Sequence, residues 1–334
     1  MLAVVTGGPT AADVRIGELP QPIPNDGEVL VRVEAAGMNP YDLSLTTGFP
    51  TVTHLALPPG RDLAGTVVDG PPGLRGTRVW ATGGELGRAR PGFHAEFAVL
   101  PAQSVRPIPE ELTMLEAGTI GVAYSTAWWA LVDAGGIVPL RHGASGASAQ
   151  DRPRVIVTGA AGAVGGAAVL LARWLGARRV WGLDHNTPQL ESVAAAADVV
   201  TGDIDNLITT AQAEGGATVC LDTIGGSMLD TLLPAMAPAG RITVISTPGD
   251  GRAEFDLRRF YRDGLVLYGV NGGHHDVLEG ARVLEAMTVG FADGSLVAPF
   301  ITGTYPLEDA TNAYQRLAQR QRGKLVFVRK TEDV

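Results

Sequence analysis

Only one cysteine, Cys220, occurs in this chain of 334 residues. A single thiol excludes a disulfide within the chain and any cysteine-rich zinc site. Cys220 sits in Thr218-Val219-Cys220-Leu221, an apolar stretch in which a free thiol behaves as a small buried hydrophobe. Lysine is scarce too: Lys324 and Lys330 are two of 26 basic residues, and the net charge is −9. With no basic run and no stripe of arginine and aromatics, a nucleic-acid partner is not expected. No apolar run reaches the roughly 18 residues that a membrane helix needs. The amino-terminal MLAVVTGGPTAADVRIGELP lacks a basic stretch followed by a long apolar core, so it does not read as a signal peptide. The expectation is a cytoplasmic protein.

What is present suits a globular chain with substantial cores, at 45% hydrophobic and 18% charged residues. Its length suggests two domains. Residues 1–120 carry short apolar runs broken by Gly, Pro and Asp, among them Glu28–Glu34, Gly65–Val68, Arg78–Trp80 and Ala95–Leu100. Many short strands with turn signals point to a barrel or sandwich. Glu116 to Val132 is long, alanine-rich and helical in pattern. Gly143–Gln150 is small and polar and reads as a loop or linker.

From residue 154 strands and helices alternate. Strands are expected at Arg154–Thr158, Arg179–Leu183, Val199-Val200, Thr218–Asp222, Arg241–Ser246 and Leu265–Val270. Helices are expected at Val164–Leu175, Gln189–Ala197, Leu207–Ala213 and Met228–Met236. Such alternation predicts a parallel sheet covered by helices. After Phe300 strand patterns return, notably Lys324–Arg329, and these can rejoin the first domain.

The junction of the first strand and helix reads Thr158–Gly166, TGAAGAVGG. In G-x-G-x-x-G register Ala160 stands at the tight-turn position, with Gly162 and Gly165 at the other two. Gly162 lets backbone approach a pyrophosphate, and Gly165 lets helix pack on strand. The helix start at Ala163 and Val164 offers unpaired N–H groups to phosphate. Asp184 ends the second strand, 22 residues past Gly162, close to the acidic position that accepts ribose hydroxyls. A carboxylate there repels a 2′-phosphate, and no Arg or Lys follows in His185–Gln189 to welcome one. NAD(H) is therefore favoured over NADP(H). The carboxyl ends of the later strands supply further cofactor candidates: Thr223 and Ile224, Ser246 and Thr247, Val270 and Asn271.

The chain resembles the medium-chain dehydrogenase/reductase superfamily, in its zinc-independent quinone-oxidoreductase-like branch. The motifs that carry the resemblance are Ala36–Asp42, Pro59–Gly65, Gly121–Ala127, Thr158–Gly166, Asp222–Gly226, Gly240-Arg241 and Gly323–Val326, in this order over nearly the whole chain. In this branch an alanine at 160 is ordinary. The resemblance implies an α/β protein: a GroES-like β-barrel domain (1–120 and 294–334), and a Rossmann doubly wound parallel-sheet domain (121–293), with the active site in the cleft between them. The positions matching the catalytic zinc ligands of zinc alcohol dehydrogenases are Met38, Arg61 and Val122, with Asp62 beside Arg61. A thioether, a guanidinium and an isopropyl group do not suit zinc. The four-cysteine structural lobe is also missing, and Gly83–Pro91 stands in its region. No zinc is expected.

The activity implied is hydride transfer to an activated small-molecule acceptor, a quinone or an α,β-unsaturated carbonyl, governed mainly by positioning. By resemblance Asn39 reaches the nicotinamide or substrate, and Thr126 contacts the nicotinamide side. Tyr41 offers a phenol as proton donor to a developing enolate, or packs against substrate. Asp42 orders the loop or caps a short helix. Phe49 lies in Gly48-Phe49-Pro50, where mitochondrial-type enoyl thioester reductases carry a catalytic tyrosine, so a plain enoyl reductase assignment is in doubt. Tyr124 lines the pocket or is buried packing. His274, after Gly272-Gly273, is a candidate substrate-facing donor, whereas His94 reads as structural. A metal-free carbonyl reductase or alcohol dehydrogenase, as in secondary metabolism, is the second reading. A nucleotide-binding regulatory or structural protein without turnover is the third. The apolar run Leu265–Val270 would be the last strand of the sheet, and an exposed apolar edge invites pairing. A homodimer joined there is expected.

Overall fold

The computed structural model describes residues 1–6, 10–46, 57–139, 150–185, 193–247, 251–319 and 323–330. Phe49, most of the Gly143–Gln150 segment, and the start of the Gln189–Ala197 helix lie outside the described residues. The strands, in chain order, begin with β1 (Leu2–Thr6), β2 (Val14–Glu18), β3 (Glu28–Gly37), β4 (Asp62–Asp69), β5 (Arg78–Thr82), β6 (Phe97–Pro101) and β7 (Arg106–Pro107). There follow β8 (Arg154–Thr158), β9 (Arg179–Leu183), β10 (Val199–Thr201), β11 (Ala217–Asp222), β12 (Met236–Val244) and β13 (Val266–Gly269). The last are β14 (Ile301–Tyr305) and β15 (Lys324–Val328). The helices are α1 (Pro40–Thr46), α2 (Met114–Trp128), α3 (Ala163–Trp174), α4 (Ile204–Ala213), α5 (Met228–Leu232), α6 (Leu257–Arg262), α7 (Val277–Ala292) and α8 (Ala310–Ala318).

The chain forms two compact units. The first comprises Met1–Ser125, Gly272–Gly294 and Ala298–Val334. Its main sheet runs β14-β15-β3-β4-β5-β7, with β6 also on β3. Strand β3 is long enough to serve two partners on one side: Glu28–Arg32 pair with β6, and Ala35–Gly37 with β15. The carboxyl-terminal strands thus do return to the first domain. Alternation along β3 sends Val29, Val31 and Val33 into a core shared with Val67, Val79, Phe93, Tyr314 and Phe327.

The resemblance implies a second domain over residues 121–293, whereas by compactness Gly272–Gly294 groups with the first unit. The cause is α7. Gly280 lies so close to β5 that an added Cβ would stand 2.1 Å from the Thr82 carbonyl oxygen. Phe291 meets the Trp80 and Tyr124 rings edge-on at 5.6 and 4.9 Å. The periodicity of a helix shows that one face is apolar, not which sheet will cover it.

The second unit, Thr126–Asn271 with Ser295–Val297, is a six-stranded parallel sheet in the order β10-β9-β8-β11-β12-β13. This is the doubly wound order, reversing direction at β8. Its core gathers Ile156, Trp181, Cys220, Leu232 and Ile242 under α4 and α5. Cys220 is fully buried, and burial pushes its thiol well above the ordinary value. Among the described residues no helix is long and apolar enough to cross a membrane.

Candidate active-site residues

In the second unit β8 delivers the chain into the glycine turn. The residue that takes the left-handed conformation is Gly159, at φ +63°, not the Ala160 of the glycine-pattern register. A side chain at Gly159 would be strained, and its Cβ would lie 2.2 Å from Thr223 Oγ1. Ala160 is fully buried and donates its N–H to the Leu183 carbonyl at 3.2 Å. Its methyl faces Gly182, where a Cβ would come within 2.9 Å, so the alanine fills space that Gly182 leaves. Gly162 caps α3 and is exposed, leaving the outer side of the turn open. A Cβ at Gly165 would stand 2.0 Å from the Gly159 carbonyl oxygen, so only glycine permits this helix to start so close to β8. The N–H groups of Ala163 and Val164 belong to the first turn, which has no intrahelical acceptors.

Two carboxylates hold this backbone in place. Asp184 accepts the Ala161 N–H on Oδ2 and the His185 N–H on Oδ1, both at 2.7 Å. Asp222, fully buried, accepts on Oδ1 from Thr158 Oγ1 at 2.7 Å and from the N–H groups of Ile224 and Gly225 at 2.9 and 3.0 Å. Thr223 returns its hydroxyl to the Thr158 carbonyl at 2.8 Å. Thr223 and Ile224 are half-buried, Ser246, Thr247 and Asn271 exposed, and Val270 donates its N–H to the Val244 carbonyl. All follow the carboxyl ends of β11, β12 and β13, as Asp184 follows β9. The fold therefore brings these cofactor candidates to one edge of the sheet. Thr126, also in this unit, lies half-buried on α2.

In the first unit a polar cluster forms where β3, β4, β15 and the start of α1 meet. Lys324 is buried and donates to Asn39 Oδ1 and Asp62 Oδ2, each at 2.6 Å. Asn39 Nδ2 donates to Asp62 Oδ2 at 3.0 Å and to Asp42 Oδ2 at 3.3 Å. Asp62 Oδ1 accepts the Val122 N–H, and Asp42 Oδ2 accepts the Asn39 N–H at 2.7 Å. The Asn39 amide is thus committed to neighbours on both its oxygen and its nitrogen. Asp42 is wholly buried, and desolvation raises its pKa, opposed chiefly by nearby His94. His94 is buried as well, with Nδ1 2.7 Å from the Tyr314 hydroxyl and the ring edge-on to Phe327. Burial lowers its pKa below the ordinary value. It is a structural residue, as its sequence context suggests.

Arg61, at 4% exposure, is the least expected member. Its guanidinium lies over the Tyr41 ring, 4.5 Å from the centroid. Nε donates to the Gly83 carbonyl at 2.9 Å and Nη2 to the Gly272 carbonyl at 3.0 Å. Desolvation pulls its pKa down, with Asp42 the largest opposing charge. Met38 is core and Val122 half-buried. The side chains at the three metal-ligand positions are therefore a buried thioether, an engaged cation and an aliphatic group, a set that does not fit zinc. Among the described residues no group of three or more His, Cys, Asp or Glu side chains could hold a metal ion. Tyr124 is fully buried, with its ring edge-on to Phe291. His274 is exposed at the end of a 3₁₀ turn, Gly272–His274.

Lys324 is the member of this cluster that motif spacing does not bring out. The available signal is a lysine opening the apolar run Lys324-Leu325-Val326-Phe327-Val328, in a chain with one other lysine. Lysine is almost never fully buried without a partner.

The chain is similar to known proteins over nearly its whole length. The family described as "Alcohol dehydrogenase GroES-like domain" matches residues 25–110, and that described as "Zinc-binding dehydrogenase" matches residues 163–286. A zinc-type alcohol dehydrogenase-like protein of Schizosaccharomyces pombe is 31% identical over 97% of this chain and 94% of its own length. A putative quinone oxidoreductase of Bacillus subtilis, YhfP, is 28% identical over 91% of each chain. The crystal structure of an alcohol dehydrogenase superfamily protein from Novosphingobium aromaticivorans superposes with a TM-score of 0.85 at 26% identity, covering 99% of this chain and 100% of that one.

Proposed function

The chain belongs to the medium-chain dehydrogenase/reductase superfamily, in its quinone-oxidoreductase-like branch, and on that premise we propose that it is a zinc-free reductase of quinones or α,β-unsaturated carbonyls. It is an NAD(P)H-dependent oxidoreductase. The observation that carries the zinc-free reading is the Arg61 guanidinium, engaged with Gly83, Gly272 and Tyr41 where a metal ligand would have to be. Without a Lewis acid, a simple alcohol or ketone lacks activation, whereas an acceptor with its own electron-withdrawing group does not need it.

The dinucleotide would be held by the second unit. The N–H groups of Ala163 and Val164 would hold the pyrophosphate, Gly162 would leave room for it, and Asp184 would accept from the ribose hydroxyls. Thr223, Ile224, Ser246, Thr247, Val270 and Asn271 continue along the same sheet edge. When bound, the reduced nicotinamide supplies the hydride. NADH is favoured, since the Asp184 carboxylate repels a 2′-phosphate. In the first unit Tyr41 holds the phenol that passes a proton to the reduced acceptor. Asn39 and Asp42 act as positioning residues through their buried hydrogen bonds. The edge strand β13, with Leu267 39% exposed, is the surface through which two copies pair.

The test is cofactor oxidation with a panel of quinones, enones and aldehydes, before and after dialysis against a chelator, with metal content measured. The expected outcome is turnover of quinones or enones that the chelator does not change. Activity lost on chelation and restored by zinc would overturn the metal-free reading. Turnover of aldehydes alone would make the protein a carbonyl reductase. Tight cofactor binding with no oxidation across the panel would point to a regulatory nucleotide-binding protein.

A further inference from the structure

Arg61 has a second property that the zinc comparison does not use. Among the described residues no carboxylate lies within ion-pair distance of it, although Asp42 and Asp62 are electrostatic neighbours. Both oxygens of Asp62 are taken by Lys324, Asn39 and the Val122 N–H. Asp42 Oδ2 is taken by Asn39, whereas Oδ1 is buried with no hydrogen-bond partner and acts on Arg61 without pairing with it. Its direct contacts among the described residues are two carbonyl oxygens and an aromatic face, Nη1 has no acceptor among them, and Asp42 and Asp62 act on the cation only from beyond ion-pair distance.

A second guanidinium stands beside it. Arg88, half-buried in the Gly83–Pro91 segment, donates Nη2 to the Gly273 carbonyl at 2.9 Å. That carbonyl is next in sequence to the one that Arg61 uses. Arg88 also has no carboxylate partner among the described residues, and its charge acts on Arg61. Two cations brought to adjacent carbonyls repel each other, and a buried cation with no carboxylate in direct contact is costly. An anion between them would relieve both costs, and arginine forks match the geometry of carboxylate and phosphate.

We propose that Arg61 and Arg88 form a recognition site for an anionic group, and that the natural acceptor carries a carboxylate. The identity of the anion as part of the acceptor rests on the reductase reading. A phosphate of the cofactor is the competing source of the same chemistry.

Binding of trans-cinnamate and of its methyl ester to the full-length protein saturated with NAD⁺ separates these possibilities without turnover. Calorimetry should show the acid bound on the order of 10–100-fold more tightly than the ester. In Arg88→Gln that ratio should fall close to one. Arg61→Lys, which keeps the charge but loses the fork, should fall between. Arg75→Gln, an exposed arginine paired with Asp69, is the control that keeps the ratio. Equal binding of acid and ester by the unaltered protein overturns the proposal. So does an Arg88→Gln variant that weakens NADH while leaving the acid-to-ester ratio intact, since the anion would then be the cofactor's phosphate. Should Arg61→Lys fail to fold, Arg88→Gln decides alone. A protein that reduces no acceptor yet prefers the acid contradicts the reductase reading and not the anion site.

Discussion

The two units build their polar centres from different materials. Around Thr158–Gly166 the groups that would meet a ligand belong to the main chain, and the carboxylates of Asp184 and Asp222 hold that main chain still. Around Lys324 the main chain plays a smaller part, and the centre is a web of side chains among Asn39, Asp42 and Asp62. A backbone site depends on which positions can do without a Cβ. A side-chain site depends on which charges can share burial. Loss of one residue should therefore act differently in the two: graded strain in the turn, and an unpaired buried charge in the web.

The largest effect should come from Lys324→Met. It leaves Asp62 buried with no cation, and breaking a buried pair costs about 3–5 kcal/mol. Urea unfolding followed by far-ultraviolet circular dichroism should show a midpoint lowered accordingly. Adding Asp62→Asn should recover part of the loss. A single variant as stable as the parent would mean that the pair contributes little.

Gly165→Ala should be the next largest. Its Cβ would stand 2.0 Å from the Gly159 carbonyl oxygen, so the start of α3 must move. Such overpacking costs about 1–3 kcal/mol. NADH affinity should fall with stability, whereas Gly162→Ala, at an exposed position in extended backbone, should fold normally. Equal stability of the two variants would contradict the close-approach reading.

Asp184→Ser should weaken NADH about tenfold, or ~1.4 kcal/mol, and improve NADPH. Part of that loss is indirect, because the Ala161 N–H loses its acceptor. Parallel titrations of the two cofactors would check it. A parent protein that already prefers NADPH would remove the basis of the cofactor assignment.

His94 gives the first unit a pH dependence. Burial holds its folded pKa below the ordinary value of 6.5. The unfolded chain therefore takes up a proton that the fold refuses, as pH falls below about 6.5. The stabilisation is whole above that pH and is lost as pH falls toward the folded value. Asp42 has the opposite sign: its raised pKa means a contribution present below 3.8 that is lost as pH rises through the folded value. Melting temperatures at pH 7.5, 6.5 and 5.5 should fall at the acid end, and His94→Gln should flatten that fall. Parallel profiles for parent and variant would show that another group titrates.

The smallest change in fold, though not in assembly, is expected from Leu267→Lys. This residue is exposed on the edge strand β13, so unit stability should barely move. Light scattering should find the variant monomeric and the parent dimeric. An unchanged dimer would place the contact elsewhere.

Much of the second unit is legible in the amino-acid order. Gly162 and Asp184 lie 22 residues apart with Gly165 between them, and short-range spacing encodes a strand-turn-helix unit directly. The left-handed residue is Gly159, one position before the Ala160 of the pattern, because glycine spacing gives the turn but not the φ of each member. The α7 segment groups with the first unit by compactness, which helical periodicity cannot tell, because amphipathic helices look alike whichever sheet they cover. Tyr124 is as much a core residue as a pocket residue on sequence, and its burial against the Phe291 ring appears only in the fold.

By itself the sequence determined most of the alternation of strands and helices between residues 154 and 270, the dinucleotide-type turn and the misfit of Met38, Arg61 and Val122 to zinc. These follow from local periodicity, glycine spacing and the chemistry of individual side chains. Tertiary structure alone decided what the buried charges do. Lys324 meets Asn39 and Asp62 across 285 and 262 residues of chain, and Arg61 meets Gly272 across 211. No periodicity reports contacts of that range, because they exist only once the return of β15 to β3 and the docking of α7 on β5 have brought the ends of the chain together.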